Sequence, residues 1–144
     1  MTEATSDTVS GTSLFLFKLS AGLAVGLWGL SKLAFASDWA GAYDMFYAGL
    51  PIGLIPVYLL GVVQVVLGAA IVLDFRRRLA AWIAAAMALI SLIATFVVLA
   101  RTGLAAPPAP MGIKLTWFLS NPIVILILLG GVALLSDKQG RTGS

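Results

Sequence analysis

The sequence predicts an all-α membrane protein, a bundle of four transmembrane helices with both termini on the cytoplasmic side. Of its 144 residues, 60% are hydrophobic and 10% are charged, whereas soluble domains are usually about 45–50% apolar and about 25% charged. The mean hydropathy is +1.05, and one core of a chain this small could not bury so much apolar surface. We therefore expect lipid to be the solvent for most of the chain.

Four apolar segments are each long enough to cross a bilayer. A spanning helix needs roughly 20 apolar residues, because the hydrocarbon core is about 30 Å thick and each residue rises about 1.5 Å. The predicted spans are Leu14–Ala36, Gly53–Leu73, Leu79–Ala100 and Leu115–Leu135. Together they form one transmembrane domain, residues 14–135, which leaves no room for a soluble domain.

The two ends of the chain are short and polar. We expect flexible cytoplasmic termini at residues 1–13 and 136–144, because their side chains are mostly small and polar. The first span exceeds the apolar region of about 7–15 residues in a signal peptide, and its flank carries Glu3 and Asp7 instead of a basic cluster. We therefore expect the first span to be retained.

Basic residues determine the predicted orientation. The side shared by both termini would carry Lys18, Arg76, Arg77, Arg78, Lys138 and Arg141, and the opposite side would carry Lys32, Arg101 and Lys114. The positive-inside rule then places the termini and the arginine turn in the cytoplasm. Contact between this turn and anionic lipid accounts for the net charge of +3. We therefore expect the bilayer, and no nucleic acid, as its partner.

The two outer connections differ in composition. The first, Ser37–Ile52, places aromatic residues around Asp38 and Asp44, which is typical of a segment lying at the membrane surface. These aromatic residues are Trp39, Tyr43, Phe46 and Tyr47. The second, Thr102–Lys114, contains prolines that prevent a regular helix.

Small residues predict close helix packing in the first two spans. Gly22, Gly26 and Gly29 recur at spacings of four and three residues, and the second span contains Gly61 and Gly68. Such stripes of small residues let two helix backbones approach closely in membranes. We expect these glycines to pack the bundle.

Lys32 is the most informative charge within the spans. It lies near the outer end of the first span, with Trp28 one turn earlier on the same face. One interpretation is a lysine that extends to the interface or pairs with Asp38 or Asp44. The other is an anchor for an anionic or carbonyl-bearing headgroup, because ionisable groups within membranes commonly mark functional sites.

Gln64 is the corresponding polar residue of the second span. A buried amide requires hydrogen-bond partners, so one interpretation is an interhelical hydrogen bond worth about 1 kcal/mol. Contact with a quinone or another polar headgroup is the alternative. Weaker polar positions of the same kind are Lys18, Ser91, Thr95 and Asn121.

No catalytic set emerges from the sequence. The chain has no cysteine and no histidine, which removes thiol chemistry and the commonest metal ligand. All six acidic residues lie at helix ends or in connections, so the spans hold no carboxylate pair and no acidic proton relay. We expect no metal, no covalent cofactor and no independent catalysis.

Several short motifs in the spans form a familiar combination. Residues 29–33 read GLSKL, residues 61–68 read GVVQVVLG, and the arginine turn and Asn121 follow. This combination resembles the DoxX-like family of small bacterial membrane proteins, whose signature is G-x-x-K. Gln64 departs from the family pattern, which often has glutamate there, and so does the lack of cysteine.

The resemblance implies a four-helix subunit associated with redox complexes in the bacterial cytoplasmic membrane. The family takes its name from the small subunit of a thiosulfate:quinone oxidoreductase, and some members act beside oxidoreductases in oxidative-stress defence. Our leading hypothesis is a non-catalytic accessory subunit that binds other membrane subunits and shapes a quinone or lipid site near Lys32, Trp28 and Gln64. The alternatives are a quinone-reactive subunit that works with a soluble sulfur-oxidising partner, and a small-molecule or lipid carrier.

Overall fold

The computed structural model describes residues 3–46, 52–102 and 124–132, and all regular secondary structure in these residues is helical. The helices are α1 (Glu3–Ala34), α2 (Ala36–Phe46), α3 (Leu54–Val72) and α4 (Arg77–Thr102). Residues 124–132 form a further helical segment, α5.

Three of these helices are long and apolar enough to cross a membrane. The candidate spans are Thr12–Ala34, Leu54–Val72 and Arg77–Val97, which agree with the first three predicted spans to within a few residues. Of the fourth predicted span, only residues 124–132 lie within the described part of the chain. Over the described residues, this is an all-α membrane protein.

Helices α1 and α3 pack so closely that their backbones touch at glycines. A Cβ at Gly29 would lie 2.6 Å from the carbonyl oxygen of Gly61, and one at Gly22 would lie 2.7 Å from that of Gly68. From Gly22 to Gly29 the residue numbers rise along α1, while those of their partners fall from Gly68 to Gly61 along α3. The two helices are therefore antiparallel. At Gly26 a Cβ would meet nothing within 4 Å, so this position could accept a methyl group.

The remaining helices complete the core with small and branched side chains. Helix α4 buries Ala80, Ala84 and Ala88, which recur at a spacing of four residues and therefore share one face. From α5, the buried side chains are Ile125, Leu129 and Val132. Gly131 of α5 lies against the ring of Phe17, because a Cβ there would lie 2.6 Å from it.

The short turn between α3 and α4 is held by an ion-pair cluster. Asp74 follows the end of α3 with φ 63°, a left-handed conformation that aspartate tolerates better than most residues. Its carboxylate lies 3.2 Å from Lys18 Nζ of α1 and 3.0 Å from Arg77 Nη1 of α4. The backbone N–H of Phe75 donates to the carbonyl oxygen of Ala70, which is the long hydrogen bond of a Schellman ending.

The first outer connection is a helix joined to α1 by a bend. Backbone hydrogen bonds continue across it, from Phe35 N to Ser31 O and from Trp39 N to Phe35 O. Near the bend, Ser31 Oγ donates to the carbonyl oxygen of Trp28 at 2.8 Å, an arrangement that often bends helices. Trp39 and Tyr43 are buried in the bundle, and the position of this segment at the membrane surface stays a prediction.

The N-terminal segment is helical from its first described residue. Helix α1 begins at Glu3, so residues 3–13 are continuous with the first span, and the flexibility predicted for residues 1–13 stays a prediction. Lengthening a formed helix is far easier than starting one. Of the other predicted features, Tyr47, the prolines of residues 103–114, Asn121 and residues 136–144 lie outside the described residues.

Candidate functional site

Lys32 is buried between two indole rings. Its side chain is only 1% exposed, so it faces the interior of the bundle and does not extend to the interface. The Nζ atom lies 4.1 Å from the ring centroid of Trp28 and 4.3 Å from that of Trp39. Both distances are within the range of a cation–π interaction.

The local helix geometry explains how these rings come to enclose the lysine. Trp28 precedes Lys32 by four residues, so both side chains lie on one face of α1. Trp39 follows Lys32 by seven residues and lies near that face because α2 continues α1 across the bend at Phe35. Tyr43 packs behind Trp39, with ring centroids 5.9 Å apart.

No anion accompanies the buried lysine in the described part of the chain. Its Nζ atom has no hydrogen-bond partner there, and neither Asp38 nor Asp44 forms the ion pair that was one of our interpretations. Instead, Asp44 Oδ1 accepts a hydrogen bond from the backbone N–H of Ile52 at 3.2 Å. Asp44 of α2 is thereby linked to the residue that lies just before the start of α3.

Gln64 is the second buried polar side chain without a partner. It is 1% exposed, and neither its Nε2 nor its Oε1 atom has a hydrogen-bond partner among the described residues. The expected interhelical hydrogen bond is therefore not formed within this part of the chain. Trp39 Nε1, also buried, is a third donor with no partner there.

Lys32 and Gln64 extend toward the same level of the bundle. Helical side chains lean toward the N-terminus of their helix, so Lys32 extends back toward Trp28 and Gly29. In the antiparallel α3, Gln64 extends toward Gly61, which packs against Gly29. A Cβ at Gly29 would also lie 2.9 Å from Gln64 Cβ. We call Lys32, Gln64, Trp28 and Trp39 the Lys32 site.

Two of the weaker polar positions, Thr95 and Lys18, have partners in the structure. Thr95 Oγ1 donates to the carbonyl oxygen of Ser91 one turn earlier at 2.8 Å, and Lys18 pairs with Asp74. Unpartnered polar atoms of buried side chains, among the described residues, are therefore confined to Lys32, Gln64 and Trp39.

The arginine turn is a separate feature that lies beside the middle of α1. A shallow depression there is lined by Asp74, Arg76–Arg78 and Leu79. Lys18, which lies beside this turn, is fourteen residues from Lys32, or about 20 Å along the helix. The turn therefore cannot contribute to the Lys32 site.

The chemistry available at the Lys32 site is that of binding. Its ammonium, amide and indole groups supply mainly hydrogen-bond donors, and no carboxylate is paired with them in the described residues. Within those residues, no group of three or more His, Cys, Asp or Glu side chains is placed to hold a metal ion. These donor groups are complementary to the acceptor oxygens of a polar headgroup.

Sequence reasoning found Lys32, Trp28 and Gln64 but missed Trp39. We assigned Trp39 to a surface segment because it follows the end of the apolar run. The spacing of Trp39 could have indicated its role, since positions 28, 32 and 39 share a face if the helix continues beyond residue 34. The residue types alone do not indicate that the helix continues there.

Comparisons with other proteins identify no relative of this chain. No protein-family model, no curated protein and no solved structure matches the chain. The resemblance to the DoxX-like family therefore stays a prediction.

Proposed function

We propose that this protein binds the polar headgroup of an amphiphile dissolved in the membrane, a quinone or a lipid, at the Lys32 site. It does so as a non-catalytic accessory subunit of a redox complex in the bacterial cytoplasmic membrane. In this proposal the chain crosses the bilayer four times, with both termini in the cytoplasm.

The observation that carries the binding proposal is the set of buried polar atoms without partners. Burying a lysine ammonium costs several kcal/mol even after relaxation, and cation–π contacts recover about 2 kcal/mol each when desolvated. The unpaired groups of Gln64 and Trp39 add roughly 1–3 kcal/mol each. A ligand that supplies acceptor oxygens would remove most of this cost.

A purely structural role for Lys32 explains less of the cost of these buried polar groups than ligand binding does. Lys32 lies in the last turn of α1, where a cation interacts favourably with the helix dipole. That interaction is worth about 0.3–1 kcal/mol at the surface and up to about 2 kcal/mol when partly buried. This interaction with the helix dipole is weaker than the cost of burying the charge. It also does not explain why the amide of Gln64 is buried without a partner.

The proposed topology rests on charge and on helix packing. The Arg76–Arg78 turn would be cytoplasmic by the positive-inside rule, which puts Lys32 near the outer face. Gly131 of α5 packs against Phe17, next to Lys18 and the arginine turn, and this agrees with a C-terminus on the same side as that turn.

The role in a redox complex is supported by the family resemblance and by the donor groups of the site. A quinone carbonyl is an acceptor that Lys32 and Gln64 could both bind. The chain has no histidine and no cysteine, so we assign electron transfer to partner subunits.

Purification of the native protein in mild detergent, followed by mass spectrometry of everything bound, tests this proposal. We expect stoichiometric co-purification of redox subunits together with a quinone or a lipid. The Lys32→Met variant should retain the protein partners and lose the amphiphile. A wild-type protein that carries neither partner nor amphiphile would contradict the proposal.

A further inference from the structure

We infer that the headgroup bound at the Lys32 site is an anionic oxyacid, a carboxylate or a phosphate attached to an acyl chain. This inference rests on the proposed function and selects one chemical class from the amphiphiles considered there. A neutral quinone carbonyl and an anionic headgroup both accept hydrogen bonds, but only the anion also supplies negative charge.

The first argument is the imbalance between donors and acceptors. An ammonium has three N–H donors, a primary amide has two and an indole has one. In the part of the chain that the structure describes, Gln64 Oε1 is the one buried side-chain acceptor without a partner, against these donors of Lys32, Gln64 and Trp39. A single carbonyl oxygen could not engage so many donors, whereas the oxygens of a carboxylate or phosphate could.

The second argument is the balance of charge. Among the described residues, the ion pairs that the structure shows join Asp74 to Lys18 and Arg77, and Lys18 lies about 20 Å from Lys32 along α1. Trp28 and Trp39 cover Lys32 with π faces, which attract a cation but carry no net negative charge. An anionic ligand would supply the counter-ion that these residues do not place beside Lys32.

The third argument concerns how an acyl chain could be accommodated. Leu30 is 50% exposed and Phe35, at the bend, is 43% exposed, so exposed apolar side chains flank Lys32 on both sides in the sequence. Trp39, which covers Lys32, belongs to the short helix α2, attached through the bend at Phe35. In this inference the Trp39 ring moves aside for the headgroup, and the acyl chain lies along the exposed apolar side chains.

Quenching of tryptophan fluorescence by brominated amphiphiles tests the inference on the full chain. The chain has four tryptophans, and replacing Trp82 and Trp117 by phenylalanine leaves only Trp28 and Trp39, which flank Lys32. The probes are dibromostearic acid, its methyl ester, dibrominated phosphatidylglycerol, dibrominated phosphatidylcholine and a decyl-benzoquinone, added to the protein in detergent micelles.

We expect saturable quenching by at least one anionic probe, with an apparent affinity at least about tenfold above that of its neutral or zwitterionic counterpart. Tighter binding of the fatty acid than of phosphatidylglycerol would identify a carboxylate ligand, and the reverse order would identify a lipid phosphate. Lys32→Met should abolish the preference for the anion, and Lys18→Met, on the same helix, should leave it unchanged.

A second variant keeps the test decisive if Lys32→Met fails to fold. Gln64→Glu would place a negative charge in the Lys32 site, so we expect anion binding to fall at least about tenfold, because the carboxylate repels an anionic headgroup. Binding of the neutral quinone should change much less.

The inference and the proposed function can fail separately. Equal binding of the acid and its methyl ester, or an anion preference that survives Lys32→Met, would overturn the anionic ligand. Saturable binding of the quinone in that case would leave the proposed function standing. Absence of saturable quenching by every probe would overturn both.

Discussion

The Nζ atom of Lys32 lies 4.1 Å from the centroid of the Trp28 ring, one turn earlier on the same helix. Trp39 covers the same atom from α2. Two aromatic faces thus enclose a side chain that is 1% exposed and has no hydrogen-bond partner in the described structure. Buried polar groups without partners destabilise a fold, and such groups are expected mainly at functional sites.

Replacing Gln64 by methionine should stabilise the ligand-free protein by about 1–3 kcal/mol, because an apolar side chain of similar size leaves no unpaired amide. The same change should weaken binding of the amphiphile, because donors are lost. Thermal unfolding in detergent measures the first effect and fluorescence quenching the second. Val66→Met, at a position that is 60% exposed to lipid, is the control. A less stable Gln64→Met protein would show that the amide already has a partner.

Adding one methyl group at Gly29 should destabilise the bundle by about 1–3 kcal/mol, because overpacking forces the helices apart. The new Cβ would lie 2.6 Å from the carbonyl oxygen of Gly61, and a backbone atom cannot move aside as a flexible side chain can. Gly26→Ala is the matched control on the same helix, since nothing lies within 4 Å of its Cβ. The control should be slightly stabilised, by about 0.5–1 kcal/mol. Equal thermal stability of the two variants would rule out this packing.

Trp39 should matter for both its N–H group and its π face. Trp39→Phe keeps an aromatic ring over Lys32 but removes the N–H donor, so we expect a several-fold loss of affinity, about 1 kcal/mol. Trp39→Leu removes the ring as well and should reduce affinity at least about tenfold further. Isothermal titration with the preferred amphiphile gives both values, with Trp82→Phe on the lipid-facing side of α4 as the control. Identical losses in the two Trp39 variants would argue against the cation–π contact.

The turn between α3 and α4 offers a test that is independent of the ligand. Asp74→Asn removes two half-exposed ion pairs but keeps a residue that tolerates φ 63°, so a loss of only about 0.5–1 kcal/mol is expected. Asp74→Ala should lose more, because alanine adopts the left-handed conformation reluctantly. Asp74→Gly should be the most stable of the three. Thermal unfolding ranks them, and a different order would contradict our account of the turn.

The sequence predicted the spans well because lipid imposes a simple rule on length and polarity. The first three spans appear within a few residues of their predicted limits, and the spacing of Gly22, Gly29, Gly61 and Gly68 anticipated the close contact of α1 and α3. These features depend on local composition and helical periodicity, both of which a single sequence displays directly.

The details of the site depended on tertiary geometry that composition does not reveal. The burial of Lys32 depends on the continuation of helical structure beyond Ala34, because α2 then carries Trp39 onto the lysine. If the helix had ended at residue 34, the alternative interpretation, a lysine that extends to the interface, would fit the same residues equally well. Likewise, the lack of a partner for Gln64 depends on which side chains face it from other helices.

The most direct test of the central claim is native mass spectrometry of the wild-type protein and of Lys32→Met, both released from the same mild detergent. We predict one bound amphiphile per wild-type chain, which survives gentle activation and is absent from the variant. Lys18→Met should retain it. Equal occupancy of wild type and Lys32→Met would contradict the claim that Lys32 holds the headgroup of a membrane ligand.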